Sequence, residues 1–77
     1  MEFNYDKDTD SLYINLINKS GVDSFEIAPD FIVDVDENGS ILGLEILNVK
    51  AKVDFNQFTF NQIPVKNISF INQPELV

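Results

Sequence analysis

The chain is 77 residues long, with thirteen acidic residues against five lysines and no arginine, for a net charge of −8. That length makes one domain, residues 1–77, and a chain so short buries only about 60% of the surface its unfolded form exposes. Having neither cysteine nor histidine, it can form no disulfide, thiolate or imidazole metal ligand, or histidine base.

Residues 2–5 read as a short first strand with Phe3 and Tyr5 on one face, followed by the polar turn Asp6-Lys7-Asp8-Thr9-Asp10. A second strand covers 11–17, where Leu12, Ile14 and Leu16 alternate with Tyr13 and Asn15. The cluster Asn18-Lys19-Ser20-Gly21 turns the chain. A third strand over 22–28 has Phe25 and Ile27 inward, and Pro29-Asp30 breaks it.

Residues 34–45 match the calcium-loop pattern D-x-[DN]-x-[DN]-G-x5-E. In that reading Asp34, Asp36, Asn38, the Ser40 carbonyl and Glu45 are the ligands. An EF-hand needs a helix on each side, yet Pro29 interrupts the entering segment and the exit, Ile46-Leu47-Asn48-Val49, lacks helical spacing. The stretch reads better as a β-hairpin turning at Asn38-Gly39. Asn-Gly is the favoured pair of a two-residue type I′ turn, in which both positions take positive φ. Residues whose numbers sum to 77 then pair. One face carries Phe31, Val33, Val35, Leu42, Leu44 and Ile46, all apolar. The other carries Asp30, Ile32, Asp34, Asp36, Ile41, Gly43, Glu45 and Leu47. Sorting with a period of two is what a half-buried antiparallel pair requires, so strands are expected at 31–36 and 41–47.

After residue 48 the pattern weakens. Ala51, Phe55 and Phe58 lie on one helical face and allow a short helix near 50–58. Pro64 ends whatever precedes it. Val65, Ile68, Phe70 and Ile71 give 65–71 strand character, and Pro74 marks the end of regular structure. The expected fold class is mainly β, or α+β if the helix forms: a small antiparallel meander over 1–48 and a C-terminal tail over 49–77.

Eleven acids and two lysines fall in residues 1–45, a balance of −9, against +1 for the remainder. Such a chain repels phosphate backbones, which argues against nucleic acid, and it steers toward basic proteins. No apolar run is long enough to span a membrane. Residues 1–6 lack the basic and apolar regions of a signal peptide, so the expected location is cytoplasmic. Serines without a histidine lack their usual base, and Gly21, Gly39 and Gly43 are isolated rather than a phosphate loop. No catalytic residue and no cofactor are expected. Asp34 and Glu45 are diagonal neighbours on one hairpin face, where they can meet a partner or hold a hard cation.

Tyr5-Asp6, then Asp10 and Leu12-Tyr13-Ile14, then residues 34–39 and Gly43-Leu44-Glu45-Ile46-Leu47 resemble the small bacterial family called domain of unknown function 2283. Its members carry a Tyr-Asp…Asp-x-Leu-Tyr-Ile opening and an Asp-x-Asp…Gly…Gly-x-Glu-Ile-Leu hairpin. The likeness covers about residues 3–48; after Leu47 the chain departs from the family's frequent Ala-Ser step. The resemblance implies a compact β-rich fold, no established enzymatic activity, and occurrence beside small toxin-like proteins. It adds an antitoxin-like role to the charge argument, in which an acidic partner covers the RNA groove of a basic ribonuclease-like toxin. Asp30, Asp34, Asp36 and Glu45 are then the expected electrostatic contact, with Tyr13 as an anchor. The alternative is a divalent-cation-binding domain using Asp34, Asp36, Asn38 and Glu45. Scaffolds this small usually need disulfides, a metal or a partner subunit, so self-association, as a dimer first, is also expected.

Overall fold

A computed structural model describes residues 1–71 of the chain. Five short strands form one antiparallel sheet: β1 (Glu2–Asp6), β2 (Ser11–Asn15), β3 (Asp23–Ala28), β4 (Phe31–Val35) and β5 (Ile41–Ile46). Their order across the sheet is β1-β2-β5-β4-β3. A β1–β2 hairpin and a β3–β4–β5 meander thus stand side by side, with the last strand in the middle. This is the mainly β antiparallel fold that the alternation predicts. The crossing from β2 to β3 runs past the adjacent ends of β5 and β4. The Leu16 and Ile17 amides both donate to the Leu42 carbonyl, and the Val22 amide donates to the Val35 carbonyl, at 2.9–3.1 Å.

Phe31, Ile32, Val33 and Asp34 pair with Ile46, Glu45, Leu44 and Gly43, the register read from the sequence. Val35 then pairs with Ile41, which leaves Leu42 as the extra residue of a β-bulge. Beyond it, the Asp36 amide donates to the Ser40 carbonyl and the Gly39 amide to the Asp36 carbonyl, both at 3.0 Å. Glu37, Asn38 and Gly39 fill the loop, and of these only Gly39 takes positive φ, at 80°. The expected two-residue type I′ turn is therefore replaced by a three-residue loop with a left-handed glycine at its end. Asp36 is the physical reason. Its carboxylate accepts the Asn38 amide at 2.9 Å and the Ser40 amide at 3.0 Å, bonds that organise the wider loop.

The apolar face of the sheet is the core. Leu12, Val33, Val35, Leu42 and Ile46 are buried, and Ile14, Phe31 and Leu44 are half-buried. Val49, fully buried, folds back onto Leu12 and Ile46, with Val53 beside it. Val49 belongs to a single 3-10 turn, Val49–Ala51, which stands where the sequence allows a helix over 50–58. The turn is over by Lys52, whose φ is −120°, and beyond it the Asp54 carboxylate accepts the Asn56 amide at 2.8 Å, a local bond that competes with helical pairing. Nor is 65–71 a strand. It pairs with none of the five strands, and the Val65 amide turns back to the Ile63 carbonyl across Pro64.

Phe55 packs edge-on against Tyr5 and Phe58 against Phe3, with ring centroids 5.4 and 5.7 Å apart. The tail thus crosses the β1 side of the core face. At the opposite edge, Phe25 is 52% and Ile27 63% exposed. The sequence pattern puts both inward. They stay open because β3 is the far edge of the sheet and the tail lies over the other one. Pro74 lies outside the described residues. No helix among the described residues is long and apolar enough to cross a membrane.

Candidate functional site

Residues opposite one another on paired strands share a face, so the registers sort the paired side chains, leaving aside Ile27 and Leu42 at the bulges. The face away from the core carries two rows across the sheet. Asn4, Tyr13, Glu45, Ile32 and Glu26 form one; Glu2, Asn15, Gly43, Asp34 and Ser24 form the next. Asp6 and Ser11 extend the surface on the β1–β2 side. The strand carboxylates Glu2, Asp6, Glu26, Asp34 and Glu45 all lie on this face, and no lysine occurs in any strand. The core face has one strand carboxylate, Asp23, at the β3 rim.

Asp34 is held from both sides. Tyr13 on β2 reaches over β5 and donates its phenol to Asp34 Oδ2 at 2.8 Å. Ser24 on β3 donates its hydroxyl to Asp34 Oδ1 at 2.6 Å. The reach of the phenol depends on Gly43, which lies on β5 between the two. A Cβ at Gly43 would collide with the Tyr13 hydroxyl and stand 2.7 Å from its Cζ. The missing side chain is thus the channel through which a β2 residue ties to β4. The bond to Asp34 favours the neutral phenol and pushes Tyr13 above its ordinary 10.0, with burial and the Asp34 and Glu45 charges adding to the effect.

Asp36 and Asp30 sit apart from this face, at opposite ends of β4. Asp36 is buried at 6% exposure and takes the Lys19 ammonium at 3.0 Å as well as the loop amides. The bond from Lys19 and those from the amides hold its carboxyl below the usual 3.8, and the same contact raises Lys19 above 10.5. Asp30, in the tight turn between β3 and β4 with φ 69°, accepts Lys52 Nζ at 2.8 Å and Asn48 Nδ2 at 3.3 Å. Those bonds, Lys52 foremost, hold its carboxyl below 3.8. Both charges are matched within the chain. Asp36 pins the β2–β3 crossing to the hairpin loop; Asp30 pins the tail to the β3–β4 turn.

Of the five residues expected to form the partner contact, the structure therefore brings Tyr13, Asp34 and Glu45 onto one face and separates Asp30 and Asp36. The cation set is also dispersed. Asp34 engages Tyr13 and Ser24, Asp36 engages the loop, and Asn38 meets Asp36 through its backbone amide. Among the described residues, no group of three or more carboxylates is gathered so as to hold a metal ion. The sequence reading missed Ser24 and Lys19. Alternation places Ser24 on a polar face, but its neighbour follows from strand order, and Lys19 finds Asp36 only through the path of the crossing.

No curated protein and no solved structure matches the chain. Residues 2–50 match the family described as protein of unknown function (DUF2283), a span that takes in all five strands, the Tyr13–Gly43–Asp34 crossing and the buried Val49. With more than half of its length matched, the chain belongs to that family.

Proposed function

We propose that this chain is a non-catalytic, self-associating interaction protein whose acidic sheet face receives a basic protein. The segregation of charge carries the reading: the strand carboxylates other than Asp23 share one face, unaccompanied by any lysine in the strands. A surface of one sign attracts cationic partners over a screening length of about 8–10 Å. Tyr13, braced over Gly43 by its bond to Asp34, gives that face a rigid aromatic anchor of the kind that dominates interfaces. Glu45 lies directly beside Tyr13, and Glu26 lies farther along the same row. An antitoxin-like role, with a basic ribonuclease-like protein as the one covered, is the form of this reading that the family resemblance favours.

A low-salt pull-down with the wild-type chain and an E26K/E45K double variant tests it. Neither Glu26 nor Glu45 braces Asp34, so the sheet should survive the change. The expected result is a basic protein that co-elutes with the wild type, is released as salt rises, and is recovered at least about tenfold less with the variant. Equal recovery by both chains, or a partner without basic character, would sink the reading.

A further inference from the structure

We infer that a second copy of the chain covers the apolar face, with the Phe25 half of one copy seated against the Phe58–Phe60 half of the other. The inference rests on the self-association proposed above and assigns its surface. The accessible area of the chain is 6490 Å². A compact monomer of 8.8 kDa exposes about 4,800 Å². The excess of about 1,700 Å² is spread over the whole chain, its exposed tail included, and is enough to supply the roughly 1,000–2,500 Å² that each partner buries in an obligate homodimer.

Charge selects the occupant. Each copy carries −8, so two copies repel through their acidic faces. The apolar face holds Asp23 alone among strand charges, and residues 55–71 contain one charged side chain, Lys66. Two like-charged chains can therefore meet here, whereas a basic partner finds little to attract it. The sheet edges are poorer routes. β3 is interrupted by a bulge at Ile27 and carries Asp23 and Glu26; β1 carries Glu2 and Asp6. Bulges and charges of this kind discourage strand addition.

Symmetry then fixes the arrangement. The apolar face has a half crossed by the tail, where Phe58 lies on Phe3 and touches Phe60, and an open half around Phe25, 52% exposed. A two-fold axis seats the open half of each copy on the tail-covered half of the other and covers both. Pairing like halves would leave Phe60 or Phe25 in water. The acidic faces then point outward on both sides of the dimer, clear of the contact.

Light scattering on the full chain and disulfide trapping together decide the matter. The wild type is expected at twice 8.8 kDa, and F25D and F60D at the single-chain mass with their β-sheet circular dichroism intact. Because the chain has no cysteine of its own, F25C and F60C single variants mixed in equal amounts with an added oxidant form disulfides at the placed positions alone, and the mixed disulfide is expected well beyond the share that random pairing gives. This trapping decides the outcome even if an aspartate variant fails to fold. A wild type at 8.8 kDa would overturn both this arrangement and self-association. A wild-type dimer unaffected by either aspartate, with the mixed disulfide no more abundant than random pairing gives, would overturn the arrangement and leave self-association standing.

Discussion

At Gly43 a single missing methyl group decides whether two distant strands are joined through their side chains. Gly43→Ala forces the Tyr13 phenol off its path to Asp34 and is expected to cost about 1–3 kcal/mol, the range for overpacking. Tyr13→Phe removes the bond alone and is expected to cost about 1–2 kcal/mol. Urea unfolding measures both. In Gly43→Ala the phenol should also titrate closer to 10.0 than in the wild type, which ultraviolet absorbance follows. The sequence shows Gly43 opposite Asp34, and that pairing holds. It does not show that β2 lies beside β5, so the space opposite Asp34 cannot be read as the path of Tyr13. Charged residues set the pH response by the same local logic. Asp36 and Asp30 have carboxyls held below 3.8; their contribution is complete above that value and is lost as pH falls through the lower folded ones. Tyr13 and Lys19 are raised above 10.0 and 10.5; their contribution is complete below those values and is lost as pH climbs through the higher folded ones. With no histidine in the chain, the melting temperature is expected to be flat from about pH 6 to 8 and to fall at both extremes. Asp36→Asn should flatten the acid limb, and a wild-type midpoint that slides between pH 6 and 8 would contradict the assignment.

The β4–β5 hairpin separates what alternation encodes from what it does not. Its apolar face, Phe31 to Ile46, follows from a period of two and is buried or half-buried as read. The loop follows from a side chain instead, because Asp36 captures two amides and widens the turn. The two turn geometries give different mutational signatures. In a type I′ turn, alanine at either central position is strained. Here only Gly39 is left-handed, so Gly39→Ala is expected to cost about 1–2 kcal/mol, while Asn38→Ala stays within about 0.5 kcal/mol. Chemical denaturation of the two variants makes the comparison, and equal penalties would restore the two-residue turn. The tail was less legible for a related reason. Ala51, Phe55 and Phe58 have helical spacing, but the Asp54 side chain takes the Asn56 amide, and such competition is invisible to a periodicity count.

Across the whole molecule, the core is thin for the apolar content of the chain. Among the described residues its buried apolar side chains are Leu12, Val33, Val35, Leu42, Ile46 and Val49, while Phe25, Phe58, Phe60 and Phe70 are between 47% and 73% exposed. In the dimer proposed above, the second copy adds stability by mass action. The melting temperature of the chain is expected to rise with protein concentration over a hundredfold range, as followed by circular dichroism, and a constant value would argue that each chain is stable alone. The sequence indicated this deficit through length and the lack of cysteine. It did not indicate which surface remains open, because that depends on where the tail leaves the sheet.

The placement of β5 between β2 and β4 has a consequence for how the chain is made. Ribosomes deliver residues in order, and every strand but the central one emerges first. Until Ile46 is free, the nascent polypeptide holds a β1–β2 hairpin and a β3–β4 hairpin that share no backbone ladder, each with its apolar side bare. Two-stranded units of that kind are marginal in water. Folding therefore waits on a late arrival, and a polypeptide halted before Ile41 has no route to the sheet at all.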